Sequence, residues 1–144
     1  MTTDSVEGAT RRERLRFVGF DFDRLPNGRV RARVSLEWSQ GAGFVGTAEG
    51  LGSEAGELRT AAEATIASIE QAVEGLASFE LLGVKAVRAF DAYVVIVSLA
   101  AHDEDGDRRL VGSYLTDVHT PRGAAIAVLN ATNRLLGNIF LRNL

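Results

Sequence analysis

The chain has no cysteine, two prolines, one methionine, one tryptophan and a formal net charge of only −3. The absence of cysteine excludes a disulfide framework, a thiolate nucleophile and cysteine metal ligands, and it fits a reducing cytoplasm. The weak negative charge excludes the general attraction to nucleic acid or to an anionic membrane that a concentrated basic face provides. No apolar stretch reaches the roughly 18 residues that span a bilayer. We therefore expect a soluble, cytoplasmic protein.

The first residues are small, polar and acidic, and they lack the apolar core of a signal peptide. We expect residues 1–14 to form a disordered lead-in and residues 15–144 to form one domain, because a chain of this length buries a sufficient core without metal or disulfide. The one basic run, Arg11–Arg16, is interrupted by an acid. We interpret it as a solvated lead-in rather than a phosphate-binding arm.

Internal repetition is the strongest pattern in the chain. Val34-Ser35-Leu36 recurs as Val97-Ser98-Leu99, and Ala61-Ala62-Glu63-Ala64 recurs as Ala124-Ala125-Ile126-Ala127, both at a spacing of 63 residues. The repeat predicts two copies of one unit, about 15–76 and about 77–138. Because one such unit is too small to be stable alone, the two copies should pack together.

Each copy changes its apolar period partway along. Leu15–Phe22 and Val30–Trp38 alternate apolar with small or polar residues, as strands with one buried face do, and Pro26-Asn27-Gly28 supplies a hairpin turn between them. After a third strand, apolar residues recur every three or four positions from Glu57, which indicates a helix. The second half repeats this order, and its helix begins after Pro121. We predict an α+β fold of two βββα units in a tandem pseudo-twofold arrangement, with antiparallel meander sheets each covered by a helix.

These tandem units resemble the C-terminal regulatory domain of 2-isopropylmalate synthase and its relatives. The resemblance covers roughly Phe17 to Gly137, and its residues are the glycines Gly50 and Gly52 before the first helix and the segment Leu129–Arg134 near the end of the last one. It implies a homodimer that binds leucine as a feedback inhibitor. Since the sequence holds no catalytic barrel, it also implies a regulatory module without enzymatic activity.

Two segments are candidate walls of a small-molecule site. The first comprises Gly50, Gly52 and Ser53, which precede a helix whose free backbone N–H groups favour an anion or a carboxylate. The equivalent segment of the second copy holds Thr116, Thr120 and Arg122. Thr120 and Arg122 are candidate ligands of a carboxylate, although Thr120 is more simply a helix cap.

Three polar residues on the last helix, Asn130, Asn133 and Arg134, need a partner if they are buried. They are candidates for a polar link across a dimer or to a neighbouring loop. Plain surface exposure is the alternative.

Two further clusters have simpler interpretations than chemistry. His119 follows Asp117 and could serve as an acid or a base, but no serine or cysteine nucleophile is placed beside it, which favours a loop histidine. The segment His102–Asp107 concentrates carboxylates but lacks the later bidentate glutamate of a calcium loop, which favours a hairpin turn. We predict no catalytic residue, no metal and no cofactor.

The expected function is to bind a small amino-acid-like metabolite and to pass its presence to an unidentified protein partner through a homodimer. The alternative is an assembly or scaffold module without a ligand, and an enzyme is a third interpretation. Ligand binding predicts an apolar cavity near Gly50 to Gly56. Scaffolding predicts that this region is filled and that an apolar surface is exposed elsewhere.

Overall fold

The computed structural model describes residues 14–142, including the side chains up to residue 139. The strands and helices follow the order β1 Arg16–Leu25, β2 Arg29–Glu37, β3 Gly43–Leu51, α1 Glu54–Val73, β4 Ala77–Ala89, β5 Ala92–Asp103, β6 Gly106–Thr116 and α2 Thr120–Arg142. This order confirms the predicted α+β fold of two βββα units. The predicted lead-in, residues 1–14, lies outside the described residues except for Arg14.

Each copy forms its own antiparallel three-stranded sheet, with β1-β2-β3 in sheet 1 and β4-β5-β6 in sheet 2. Alternation along the central strands sets the two faces of each sheet: Val30, Ala32, Val34 and Leu36 are buried on β2, while the arginines between them are exposed. A three-residue turn, Pro26–Gly28, joins β1 to β2. Its Asn27 and Gly28 have φ angles of 68° and 71°, which Asn-Gly pairs tolerate better than most residues.

The two sheets share one irregularity at the same place. The pairing of β1 with β2 slips between Phe17 and Gly19, and the pairing of β4 with β5 slips between Leu81 and Gly83. After the slip, Gly19 pairs with Ser35 and Gly83 pairs with Ser98. Positions along β1 and β4 therefore correspond at a spacing of 64 residues, because each strand carries one bulged residue before the matching glycine.

A glycine on the third strand of each sheet lets a helix approach closely. A Cβ atom added at Gly46 would overlap the backbone of α1 at Ala64 and Ser68, and one added at Gly112 would overlap the backbone of α2 at Ala127 and Ala131. In each copy the helix therefore packs against the sheet at backbone contact distance.

The two helices also join the copies to each other. Helix α1 packs against β2 and β3 of its own sheet and against α2 and β4 of the second copy. Helix α2 packs against β5 and β6 and makes the reciprocal contact with β1. These reciprocal contacts give the pseudo-twofold arrangement, and one cluster of buried apolar side chains runs through both copies.

The starts of the helices differ between the copies. Ser53 caps α1 by accepting a hydrogen bond from the backbone N–H of Gly56 at 3.0 Å. Helix α2 begins at Thr120, before Pro121, and the imidazole Nδ1 of His119 accepts from the backbone N–H of Arg122 at 3.3 Å. His119 thus has the capping role that the sequence suggested for Thr120.

Neither helix, over the residues that the structure describes, combines the length and the hydropathy needed to cross a membrane.

Candidate functional site

The glycine segment before α1 is filled by the chain itself. A Cβ atom at Gly50 would overlap the hydroxyl of Thr60. The backbone N–H of Gly52 donates to the carbonyl of Gly28 at 2.7 Å. These glycines permit close contact within copy 1, and the N–H of Gly52 is already paired.

The other predicted site residues lie in different surroundings. The hydroxyl of Ser53 is engaged in capping α1, and Thr116 packs its methyl group near Gly123. The guanidinium of Arg122 lies 5.2 Å from the centre of the Phe17 ring, a cation–π contact. Of the six predicted ligand-binding residues, Thr120 lines the cavity described next.

A cavity of about 420 Å³ lies where the start of α1 meets sheet 2 and the start of α2. Its volume falls in the range of small-molecule sites, roughly 300–1,000 Å³. It is lined by Glu54, Ala55 and Leu58 of α1, by Val84, Lys85, Ala86 and Arg88 of β4, by Tyr93 of β5, and by Val118 and Thr120 beside α2.

The pseudo-equivalent place in the molecule is packed with rings. There β1 meets the start of α2, and the imidazole of His119 lies edge-on to Phe20 at 5.9 Å and to Phe22 at 6.4 Å between ring centres. The rings of Phe20 and Phe22 stack on each other at 6.1 Å. His119 therefore packs among aromatic rings, as edge-to-face pairs commonly do.

Smaller side chains open this place in copy 2. Phe20 pairs with Val34 in sheet 1, and Val84 pairs with the equivalent Val97 in sheet 2. Two residues after Val84 on β4, Ala86 occupies the position that is equivalent to Phe22 on β1. A phenylalanine replaced by alanine leaves unfilled volume unless the surroundings collapse, and here the volume remains as the cavity.

In copy 2, an arginine beside the cavity lacks the carboxylate partner that the equivalent arginine of copy 1 has. In copy 1, Arg24 of β1 forms an ion pair with Glu57 of α1 at 2.7 Å. The equivalent residues of copy 2 are Arg88 and Thr120, so the carboxylate is replaced by a hydroxyl. Within residues 14–142 Arg88 has no ion-pair partner.

Tyr93 contacts the exposed Arg88 beside the cavity. The guanidinium of Arg88 lies 5.7 Å from the centre of the Tyr93 ring and donates to its hydroxyl at 3.5 Å. Lys85 also lines the cavity, but it pairs with the outward-facing Ile96, which assigns its side chain to the outer face of sheet 2. We therefore give the anchoring role to Arg88.

The remaining walls combine apolar surface with one acid. Ala55, Leu58, Val84 and Val118 supply apolar contacts, and Glu54 supplies a carboxylate. A site of this kind can hold a small molecule that carries a carboxylate, an apolar body and a cationic group.

The polar residues of the last helix have separate surroundings. The side-chain amide of Asn130 donates to the carbonyl of Ser113 at 3.0 Å, which ties α2 to β6. The side-chain oxygen of Asn133 is buried without a hydrogen-bond donor among the described residues. Arg134 is exposed. The predicted role of these residues in a dimer stays a prediction.

The acidic segment forms the turn between β5 and β6. His102 and Asp107 pair across this hairpin at 2.7 Å, and the hydrogen bond that the Asp107 carboxylate accepts from the imidazole raises the pKa of His102 above its ordinary value. The backbone N–H of Asp105 donates to Asp103 at 2.9 Å. Over residues 14–142 no three His, Cys, Asp or Glu side chains are arranged to hold a metal ion.

Val84, Ala86, Arg88 and Tyr93 were not among the predicted site residues, although the repeat indicates three of them. Alignment of the copies at Gly19 and Gly83 places Val84 and Ala86 opposite phenylalanines and Arg88 opposite an arginine. A comparison of the copies position by position therefore finds the site, whereas a search for glycine-rich or catalytic motifs does not.

Comparison with known proteins adds no assignment: no family model matches the chain, and neither does any curated protein. The resemblance to the regulatory domain of 2-isopropylmalate synthase stays a prediction from the sequence.

Proposed function

We propose that this protein is a non-catalytic module that binds a small carboxylate metabolite in the cavity between α1, sheet 2 and α2. The observation that carries the proposal is that Arg88 lines the cavity without an ion-pair partner among the described residues, whereas the equivalent Arg24 of copy 1 forms an ion pair with Glu57. A ligand carboxylate would take the place of the carboxylate that copy 2 lacks.

The side chains that line the cavity indicate which class of small molecule it can bind. A guanidinium binds a carboxylate through charge-assisted, often paired hydrogen bonds. The apolar side chains of Leu58, Val84 and Val118 offer a surface for an aliphatic group. Glu54 can neutralise an ammonium group. An amino-acid-like metabolite with an aliphatic side chain can interact with the guanidinium, the apolar side chains and the Glu54 carboxylate at the same time.

The position of the cavity supports a regulatory role. Its walls come from α1 of copy 1 and from β4, β5 and the start of α2 of copy 2. A ligand held there contacts both copies, so it favours the arrangement in which those contacts are best. Through such a preference, ligand binding can be passed to a partner.

The test is native mass spectrometry and calorimetry of the purified protein with L-leucine, other aliphatic amino acids and short aliphatic carboxylates. We expect one molecule bound per chain. Arg88→Met should weaken binding about tenfold or more, because it removes a charge-assisted hydrogen bond. The matched control is Arg24→Met, which changes the equivalent arginine of copy 1 and should leave binding intact.

A second variant tests the cavity volume without changing the charge of Arg88. Ala86→Phe copies Phe22 into copy 2 and should abolish uptake by filling the cavity. If none of the compounds binds, or if Arg88→Met and Ala86→Phe both bind as well as the unaltered protein, the proposed site is wrong.

The alternative function, assembly without a ligand, is favoured by a different observation, the exposed apolar side chains of sheet 2. The filled segment at Gly50 and Gly52 agrees with that alternative, whereas the adjoining cavity agrees with ligand binding. Failure of the whole panel to bind would leave assembly as the better proposal.

A further inference from the structure

The outward faces of the two sheets differ although their strands correspond. On sheet 1, register places Asp23, Arg31 and Glu49 side by side across the three strands. Arg31 and Glu49 form an ion pair at 3.2 Å. This row is charged and suits exposure to water.

The equivalent row of sheet 2 is apolar throughout. Register places Val87, Val94 and Leu115 side by side at the positions that correspond to Asp23, Arg31 and Glu49. In the neighbouring row, Ile96 stands at the position of Arg33. The copies therefore differ on this face at four positions, where the charged residues Asp23, Arg31, Arg33 and Glu49 correspond to aliphatic ones. At a fifth position both copies are charged, since Asp21 beside Arg33 corresponds to Lys85 beside Ile96.

We call the outward-facing residues Leu82, Val87, Val94, Ile96, Val111 and Leu115 the sheet 2 patch. Leu82 is 43% exposed, Val87 39%, Ile96 38%, Val111 65% and Leu115 64%. Together these five side chains leave roughly 400 Å² of apolar surface in water, within the range of the largest, often functional, patch on a typical monomer.

This area is most of the apolar surface that one partner contributes to a stable homodimer. A stable dimer buries about 800 Å² on each partner, and roughly 65% of a homodimer interface is apolar. The sheet 2 patch supplies most of that apolar area, and the small residues Gly83, Ser98 and Ala100 lie beside it on the same face. Small residues also permit the close approach of a second sheet, about 10 Å away.

The charges at the end of the same face fit a second copy of this chain. Glu80 and Arg109 lie on the two edge strands, on either side of Ala100 in one row. A twofold axis parallel to β5 exchanges β4 and β6, so that each Glu80 faces Arg109 of the other copy. Arg109 has no ion-pair partner within the described residues.

We infer that the sheet 2 patch is the interface of a homodimer in which two copies of sheet 2 pack face to face around a twofold axis parallel to β5. The interface is self-complementary, as twofold symmetry requires. It leaves the outward face of sheet 1 in water, where exposed Val18, Val45 and Leu51 are separated by the charged rows.

The first test is sedimentation velocity of the full chain at micromolar concentrations. We expect a dimer. Leu115→Glu, which copies Glu49 into sheet 2, should raise the dissociation constant about tenfold or more, and so should Ile96→Arg, which copies Arg33. The matched control, Thr47→Glu, adds the same charge to the outward face of sheet 1 and should leave the dimer unchanged.

Circular dichroism and thermal unfolding show whether each variant is folded, which we expect because every changed side chain is exposed. A monomeric unaltered protein overturns the proposal. A folded Leu115→Glu variant that dimerises as well as the unaltered protein does so too.

The second test examines the direction of the twofold axis through the ion pairs that it predicts between Glu80 of one copy and Arg109 of the other. Glu80→Arg and Arg109→Glu should each raise the dissociation constant about two- to fivefold, as exposed ion pairs are worth little. The double variant should restore it, since the charges then face each other in reverse. A double variant weaker than both single variants contradicts the twofold arrangement.

The dimer interface and the cavity are tested by separate measurements. Oligomeric state tests the sheet 2 patch, whereas uptake of a carboxylate tests the cavity. A protein that dimerises but binds none of the compounds keeps this inference and loses the other one.

Discussion

Ala86 pairs with Val95 in sheet 2 just as Phe22 pairs with Ala32 in sheet 1. The two residues hold equivalent positions on the inner face of each first strand, yet one fills its surroundings with a ring and the other leaves a cavity. Each copy therefore serves as a reference for the other, and differences between equivalent residues show where the duplicated fold acquired separate properties.

The first prediction concerns the carboxylate that copy 2 lacks. Thr120→Glu copies Glu57 and should place a carboxylate near Arg88, where it competes with the ligand's own carboxylate. Affinity for the ligand should fall about tenfold or more, because one charge-assisted hydrogen bond is then satisfied internally. Calorimetry measures this change.

The control for that variant is Thr120→Gln, which adds a similar volume without charge. It should reduce affinity less than Thr120→Glu does. Equal losses in the two variants would mean that size, and not charge, limits the ligand, contrary to the role given to Arg88.

The second prediction concerns the close contact between α2 and β6. Gly112→Ala should lower the free energy of unfolding by about 1–3 kcal/mol, because the added methyl group overlaps the backbone of α2. Gly83→Ala is the control, since no atom lies within 4 Å of its added Cβ. That variant should change stability by less than about 0.5 kcal/mol. Urea unfolding measures both, and equal effects would contradict the packing.

A third prediction follows from the backbone of Phe90. This residue forms the turn between β4 and β5, is 97% exposed and has a φ angle of 59°. A phenylalanine gains little from such exposure and is strained at positive φ, so Phe90→Gly should raise the free energy of unfolding by about 0.5–1 kcal/mol. Asp91→Gly changes the neighbouring residue, whose φ is not positive, and should not stabilise the fold. A lower melting temperature for Phe90→Gly would refute the strain.

The fourth prediction is a pH dependence at the turn between β5 and β6. The hydrogen bond with Asp107 raises the pKa of His102 above 6.5, so the pair stabilises the fold below pH 6.5 and loses this effect as pH rises through the folded-state pKa. The pair is exposed, and the effect on stability should be small.

Titration of the His102 ring by NMR measures that pKa directly. Asp107→Asn should lower it, while Asp117→Asn, a carboxylate change outside this turn, should leave it unaltered. A His102 pKa that is the same in the unaltered protein and in the Asp107→Asn variant would show that the pair does not form in solution.

The fold was predictable because its patterns are local and occur twice. Alternation on β2 marks buried Val34 and Leu36, and the Asn27-Gly28 pair marks the turn before it. The helix boundaries differ from the predicted ones by a few residues. Helix α1 begins at Glu54, three residues before the predicted Glu57, because Ser53 caps it there.

The cavity was harder to predict, because it depends on volume and pairing between distant segments. Nothing near Ala86 in the sequence indicates empty space; the space arises where α1 of the first copy crosses β4 of the second. Similarly, Arg88 is one arginine among many until Arg24 is seen bound to Glu57.

The reciprocal packing of the copies also sets the order in which the chain can be completed. The rings of Phe17, Phe20 and Phe22 belong to the first strand, but they are covered by His119 and Arg122 at the start of the last helix. During synthesis, the contacts of these rings with His119 and Arg122 can form only after residues 119–122 have left the ribosome. Contacts between residues so distant in sequence slow folding. The docking of α2 therefore covers the aromatic side chains of β1 late in folding.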